Sequence, residues 1–195
     1  MLFTPDVREA LGAAVDLVNS MKPDSLTSLE SVQGFYDRWG YTGQRPDSAA
    51  ELHAVRDIRA PLRRLLTADR DAAVELINTI LREQRALPQL VRHDPLGWHI
   101  HAISEDRPMD QRVLVETAMA MTDIVRLDEM SRLSQCASDT CDGLVLDLSR
   151  NRSRRFCSTT CGNREAQAAH RARVSGADRP IARDASQNGS PEACV

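Results

Sequence analysis

The chain has 195 residues, of which 42% are hydrophobic and 27% charged, and its formal net charge is −3. This hydrophobic content is typical of globular proteins and excludes a fibrous or wholly disordered chain, and no segment approaches the roughly 18 consecutive apolar residues that a membrane helix needs. Because Asp6, Arg8 and Glu9 interrupt the N-terminal segment where a signal peptide needs an apolar run, we expect a soluble, cytoplasmic protein.

Hydrophobic periodicity predicts a mainly helical N-terminal domain. Apolar residues recur at helical spacing in five segments, 5–21, 26–39, 48–68, 71–86 and 109–133. Pro61 falls inside the third segment, so we expect that helix to kink or break near residues 59–60. Thr27 and Asp47 are the predicted N-caps of the second and third helices, and Asp69 or Asp71 begins the fourth.

Between the fourth and fifth helices the hydrophobic period changes. The new pattern predicts a hairpin whose two strands are residues 87–93 and 97–103. His99 and His101 share a face of the second strand, and with His93 they suggest a second metal site. A surface or partly buried histidine pair is the favoured alternative, because no nearby cysteine or well-spaced carboxylate completes a ligand set.

The C-terminal part contains two close cysteine pairs. Cys136, Cys141, Cys157 and Cys161 are spaced C-x4-C-x15-C-x3-C, and in a cytosolic protein such pairs more often hold metal than form disulfides. Four thiolates suit tetrahedral Zn²⁺, and an all-cysteine site is closed, so the sequence predicts one structural Zn²⁺. Four unrelated reduced cysteines are the alternative.

A treble clef is the predicted fold of this cysteine module. Residues 144–146 and 154–156 are expected to pair as a hairpin after a knuckle at the first cysteine pair, and Ser158 to cap a final helix that carries the second pair. The predicted fold class is thus mainly α with a small β-hairpin, followed by a treble-clef-like zinc finger. The predicted units are a helical domain at 1–133, the finger at 134–174 and a disordered tail at 175–195.

Two motifs resemble known families. The run DLSRNRSRRFCSTTCGNR at 147–164 resembles the CGNR zinc finger, which is named for the residues at 161–164. The run DLVNS at 16–20 is similar to a run typical of the ABATE domain, a mostly helical fold with a few strands that usually precedes this finger. The resemblance covers about residues 5–173. It implies a stress-responsive bacterial transcription regulator whose finger binds DNA.

Positive charge is concentrated in the same module. Residues 1–149 carry a net charge of −8 and residues 174–195 carry −1, whereas residues 150–173 carry +6. This is the charge pattern expected of a nucleic-acid contact, with a solvated charged face as the alternative. Arginines of the hairpin are placed to bind phosphates, and a stripe on the final helix is placed to read bases. The candidate contacts are Arg150, Arg152, Arg154 and Arg155 on the hairpin and Arg164, Gln167 and Arg171 on the helix, with bracing of the zinc module as an alternative role for Arg164.

Two hypotheses for function follow. The first is a regulator that binds double-stranded DNA through its finger, with the N-terminal domain as sensor, partner-binding or dimerisation module. The second is an adaptor that docks on RNA polymerase or another regulator without reading bases. The methionines of the helix at 109–133 either fill the core or form a homodimer face; they are Met109, Met119, Met121 and Met130. We expect no enzyme, because phosphate-loop, nucleophile-elbow and HExxH motifs are missing, and no membrane partner.

Overall fold

The computed structural model describes residues 3–92 and 97–177 of the chain. Its helices are α1 (Pro5–Asn19), α2 (Leu29–Arg38), α3 (Ala49–Asp57), α4 (Arg59–Thr67), α5 (Arg70–Glu83), α6 (Met109–Arg126) and α7 (Thr159–Ala177). Its strands are β1 (Gln89–Val91), β2 (His99–His101), β3 (Leu133–Gln135) and β4 (Leu144–Leu146), and one turn of 3-10 helix is formed by Met130–Arg132. The mainly helical class with small hairpins is therefore confirmed.

Helix α1 lies at the centre of the hydrophobic core. Its Leu11 and Leu17 are fully buried, and it packs against α4, α6 and strand β4. Met121 of α6 is also fully buried here, so it fills the core. Leu144 and Leu146 of β4 belong to the same core. The cysteine module therefore packs onto the helical domain through β4. The predicted boundary at residue 133 assigns β4 to the finger alone.

Side-chain caps determine where the short helices begin. Ser28 and Ser48 cap α2 and α3 in capping boxes, each accepting the backbone N–H of the third helical residue. The predicted caps Thr27 and Asp47 are each one residue too early, because the serine hydroxyl at the next position makes this bond. Asp69, one of the two candidates for the fourth helix, caps α5 by accepting the N–H of the third residue.

The predicted break in the third helix is confirmed. Ile58 separates α3 from α4. Pro61 lies in the first turn of α4, where a backbone N–H has no partner within the helix. Proline at this position therefore removes no helical hydrogen bond.

Helix α6 ends at Arg126, which is earlier than the predicted end at residue 133. The chain turns at Asp128, which adopts the left-handed conformation with φ of 57°. The residues that follow form the 3-10 turn and strand β3, which pairs with β4. Of the apolar residues beyond Arg126, Met130 thus lies in the 3-10 turn and Leu133 in the strand.

The predicted hairpin is present as β1 and β2, with Leu90 opposite Ile100. Residues 93–96, which include His93 and most of the predicted turn, lie outside the described residues. The disordered tail predicted for 175–195 overlaps the end of helix α7, which continues to Ala177. Residues 178–195 lie outside the described residues. None of the described helices combines the length and apolar character that crossing a membrane requires.

The predicted pairing of residues 144–146 with 154–156 is wrong. Strand β4 pairs instead with β3, with Ser134 opposite Val145. The Asp147 side chain accepts the backbone N–H of Arg154 at 2.6 Å, so the loop after β4 is closed by a side chain. Residues 154–156 consequently lie outside the strand ladder.

Candidate metal centre and nucleic-acid interface

The four cysteines of the predicted zinc site come together in the structure. The Sγ atoms of Cys136, Cys141, Cys157 and Cys161 all lie within 4.8 Å of one another. The Cys141–Cys157 and Cys157–Cys161 separations are both 3.6 Å. A tetrahedral ion with Zn–S bonds of about 2.3 Å requires S···S separations of about 3.8 Å. The cluster therefore has the donor set and the dimensions of a zinc site with four cysteine ligands.

Backbone N–H groups and one glycine shape this cluster. The N–H of Gly143 lies 3.4 Å from Cys141 Sγ, and the N–H of Cys157 lies 3.5 Å from Cys136 Sγ. Such N–H donors favour the thiolate form, which is the form that binds metal. A Cβ added to Gly143 would lie 2.9 Å from Cys157 Sγ. Position 143 therefore has room only for glycine.

The surroundings of the thiols differ. Burial, together with hydrogen bonds to the other three thiols, raises the pKa of Cys157 to about 12. The hydrogen bond from Ser158 lowers the pKa of Cys161. The guanidinium of Arg164, 3.4 Å from Cys161 Sγ, adds a positive charge beside the same sulfur. Cys161 is thus held in surroundings that favour its thiolate.

Helix α7 begins at the cluster and is tied to the knuckle between the first two cysteines. Ser158 Oγ accepts the N–H of Cys161 at 3.2 Å, so the predicted cap is confirmed. The buried Ser138 hydroxyl donates to Glu165 at 2.6 Å, and Arg164 donates to Ser138 Oγ at 3.3 Å. The first turns of α7 are therefore fixed in place relative to the metal centre.

The helical domain holds the other side of the knuckle. The Asn19 side chain donates to the carbonyl of Leu144 at 2.9 Å and accepts the N–H of Leu144 at 2.7 Å. Lys22 forms an ion pair with Asp142 at 2.8 Å, and Arg63 donates to the Asp142 carbonyl at 2.6 Å. Sequence reasoning missed the contact of Asn19 with β4.

Comparison with family models identifies both parts of the chain. A model described as "Putative stress-induced transcription regulator", ABATE, matches residues 11–128, which is more than half of the chain. The chain belongs to the ABATE family. A second model, the CGNR zinc finger, matches residues 132–174, which contain all four clustered cysteines. A search of curated proteins finds no match.

A buried polar network closes the loop of the CGNR finger between β4 and α7. Asp147 accepts the backbone N–H groups of Ser149 and Arg154. Buried Arg132 forms an ion pair with Glu129 at 2.8 Å and donates to the Asp147 carbonyl. Burial acts to raise the pKa of Asp147, but the hydrogen bonds from Ser149 and Arg154 outweigh it and the pKa is lowered. An ionised carboxylate therefore organises this loop.

Three of the seven candidate DNA contacts bind within the protein itself. Arg152 donates to Glu129 at 2.6 Å, and Arg154 donates to the Cys157 carbonyl at 3.1 Å. Arg164 contacts the knuckle and a cysteine sulfur, as described above. In the structure these three arginines brace the finger and its junction with the ABATE domain.

The other four candidates, Arg150, Arg155, Gln167 and Arg171, are exposed. Arg155 lies with its guanidinium 5.8 Å from the centre of the Phe156 ring. Across residues 3–92 and 97–177, neither Arg150, Arg155 nor Arg171 has a carboxylate within ion-pairing distance. Residues 166–175 of α7 are all exposed, so the outer part of this helix offers every face to solvent.

The histidines of β2 form a pair in the ABATE domain. The Nε2 atoms of His99 and His101 lie 3.0 Å apart, and His99 is buried. Among the described residues, the cysteine cluster is the one group of three or more side chains placed to share a metal ion. The described part of the chain therefore supplies two histidines here without a third ligand.

Proposed function

We propose that this protein is a transcription regulator that binds double-stranded DNA through its CGNR finger. One structural Zn²⁺ folds the finger, and helix α7 is presented to the duplex. The ABATE domain serves as sensor, partner-binding or dimerisation module. The observation that carries the proposal is the exposed, basic outer part of α7, whose first turns are fixed at the cysteine cluster. The descriptions of both matched families support a regulator with a zinc finger.

The zinc site is the structural base of this proposal. We assign Cys136, Cys141, Cys157 and Cys161 as the ligands of one ion, because their spacing and separation fit tetrahedral coordination. The finger's own buried apolar side chains are few, with Val145 the fully buried member of the cluster around the cysteines. Metal binding should therefore supply much of the free energy that folds this module.

Helix α7 has the size and the side chains of a groove-binding element. Its 19 residues correspond to a length of about 28 Å, and a single helix fits the major groove. Gln167 and Arg171, four residues apart, share one face. Glutamine can bind adenine and arginine can bind guanine through paired hydrogen bonds, and Ala168 beside them allows close approach. We therefore assign base contacts to this face.

The loop before α7 supplies the proposed phosphate contacts. Arg150 and Arg155 are exposed, and as long cationic side chains they are suited to bind phosphate oxygens without reading sequence. Each phosphate that is neutralised releases counterions, so affinity should fall as the salt concentration rises. In this proposal Arg152, Arg154 and Arg164 act indirectly, by holding the loop and the first turns of α7.

The test is a set of fluorescence-anisotropy titrations of the zinc-loaded chain at two salt concentrations. One duplex is selected from a random library by this protein, and the other is its scrambled version. Arg171→Ala should lose about 1–3 kcal/mol of discrimination between the two duplexes. Arg155→Ala should weaken both complexes and lower the salt slope by about one. Arg82→Ala, an exposed arginine of α5, is the matched control and should change neither quantity.

An adaptor that binds a protein instead of DNA is the second candidate. The observation that favours it is the composition of α7, where Val174 is 52% exposed and alanines occupy several of the other exposed positions. RNA polymerase or another regulator would be the partner. If neither arginine substitution changes affinity for any duplex while zinc stays bound, DNA binding by the finger is wrong and the adaptor takes its place.

A further inference from the structure

A cavity of about 220 Å³ lies inside the ABATE domain, between α1, α6, the loop after α2 and strand β2. Helices α1 and α6 pack directly against each other. Where they line the cavity they carry Ala10, Ala13 and Ala120, whose small side chains leave the space between the helices unfilled. The volume is below the roughly 300 Å³ at which pockets for drug-sized ligands begin. The cavity therefore fits a small molecule of about one ring.

The charged groups that line this cavity are mostly carboxylates. Asp6 and Glu9 reach it from α1, and Glu116 and Asp123 reach it from α6. Within the described part of the chain Arg126 is the one guanidinium of the lining, and its Nη1 lies 3.8 Å from Oδ1 of Asp123. Carboxyl groups thus outnumber guanidinium groups in the described lining, although the charge of Arg112 also acts on Glu116. Ionised carboxylates attract a cation and repel an anion.

Aromatic and imidazole rings form the remaining polar wall. Trp39 and Tyr41 line the cavity from the loop after α2, and aromatic faces attract cations. His99 Nδ1 donates to the Gly97 carbonyl at 2.9 Å, because a carbonyl can only accept. The Nε2 atom of His99 lies 3.0 Å from Nε2 of His101. The orientation of both rings is thus fixed before any ligand binds.

We propose that this cavity binds a small organic cation, a protonated primary amine attached to an apolar body of about one ring. The ammonium group would be neutralised by Glu116, and the apolar body would lie against the alanines and Met119. Among the lining carboxyl groups we pair the ammonium with Glu116, because Glu116 lies in the middle of α6, away from the helix ends. Burial raises the pKa of Glu116 to about 7, and a bound ammonium would hold the carboxyl ionised.

That the cavity is the ligand site of a sensor domain rests on the proposed function. Binding itself depends on the cavity alone, so it is measured on the full chain without DNA. An amine that binds while no duplex does would overturn only the regulator. A duplex that binds while no amine does would overturn only the ligand site.

The test is isothermal titration calorimetry of the full chain with three ligands that share one aromatic ring. These are 2-phenylethylamine, the neutral 2-phenylethanol and the anionic 3-phenylpropanoate. The amine should bind at least about tenfold more tightly than the alcohol, and the carboxylate should give no heat of binding at concentrations up to about 10 mM. Equal affinity for amine and alcohol, or no binding of the amine, would overturn the proposal.

Two substitutions locate the binding site. Glu116→Gln keeps the size of the side chain and removes its charge, and it should weaken amine binding at least about tenfold. Ala10→Leu should fill the cavity and abolish amine binding. This second variant tests the site independently if Glu116→Gln does not fold. Glu75→Gln, on the exposed face of α5, is the matched control and should bind like the unsubstituted chain. Unchanged amine affinity in a folded Glu116→Gln or Ala10→Leu variant would place the amine elsewhere and overturn the assignment.

Discussion

Asn19 of α1 makes two hydrogen bonds to the main chain of Leu144 in β4, one to its carbonyl and one from its N–H. The side-chain amide of Asn19 thereby supplies the two hydrogen bonds that a neighbouring strand would make to β4, the strand that follows the cysteine knuckle. Because Leu144 and Leu146 also complete the core around α1, the finger and the ABATE domain share a packed interface. Loss of the metal should therefore lower the stability of the helical domain as well as that of the finger.

Substitution of Asn19 should weaken this interface. Asn19→Ala leaves both main-chain groups of Leu144 without their partners, so we expect a loss of about 1–3 kcal/mol in the free energy of unfolding. Urea denaturation followed by circular dichroism measures it. Asn78→Ala, at an exposed position of α5, is the control and should change stability by no more than a few tenths of a kcal/mol. Equal effects of the two substitutions would show that the Asn19 contact does not stabilise the fold.

Removal of zinc should loosen α1 as well as the finger. A ligand that binds only the folded state stabilises everything that unfolds with it, and β4 links the finger to α1 through Leu144. Hydrogen exchange with mass spectrometry, before and after chelation, should show faster exchange in peptides from both α1 and residues 134–174. Faster exchange confined to residues 134–174 would instead support an independent helical domain ending at residue 133.

Gly143 should be required for tight zinc binding. A methyl group at this position would lie 2.9 Å from Cys157 Sγ, so Gly143→Ala must displace the sulfur or the backbone beside it. We expect about a 10–100-fold loss of zinc affinity, as for other changes next to metal ligands, measured by competition with a chromophoric chelator. Gly34→Ala, where an added Cβ meets nothing within 4 Å, should leave the affinity unchanged. Matching affinities in the two variants would rule out the tight packing at residue 143.

The carboxyl of Glu116 should make stability depend on pH. Burial raises its pKa from 4.5 to about 7, although the charges of Arg112 and His99 act in the opposite direction. The unfolded chain releases this proton near pH 4.5 and the folded chain retains it until about pH 7. Stability should therefore fall as the pH rises through this range, by up to about 3 kcal/mol. Tyr41, whose pKa is raised by burial and by Glu116, stays protonated throughout.

Glu116→Gln isolates this contribution, because every other titrating group is shared with the unsubstituted chain. The variant should gain stability relative to the unsubstituted chain as the pH increases from about 5 to about 8. Urea denaturation at a series of pH values gives the difference directly. A difference that is constant with pH would mean that Glu116 ionises normally in the folded protein.

Local patterns in the sequence were enough to predict the zinc centre. The spacing of the cysteine pairs identified the four clustered thiols, and Ser158 was identified as the cap because an N-cap depends on residues only a few positions away. The break before α4 was predictable for the same reason, since Pro61 acts within its own helix. These features depend on neighbours along the chain.

Features that depend on distant residues were not predictable from local patterns. Leu133 continues the apolar period of α6, and nothing nearby shows that it begins a strand that pairs with β4. Asp147 binds a backbone N–H, which no side-chain pattern reveals. The run DLVNS at 16–20 did carry a signal, because it places polar Asn19 beside the buried residues Leu17 and Val18 at the end of α1. Its partner Leu144, 125 residues away, became apparent only in the folded structure.

Zinc content and DNA binding measured on the same samples test the central proposal most directly. The purified chain is analysed for metal and titrated with the selected duplex, then again after chelation, and again after Zn²⁺ is restored. The proposal predicts one zinc per chain, loss of duplex binding with loss of the metal, and recovery of both together. Duplex binding that persists at full strength in chain stripped of zinc, or a fully zinc-loaded chain that binds no duplex, would contradict it.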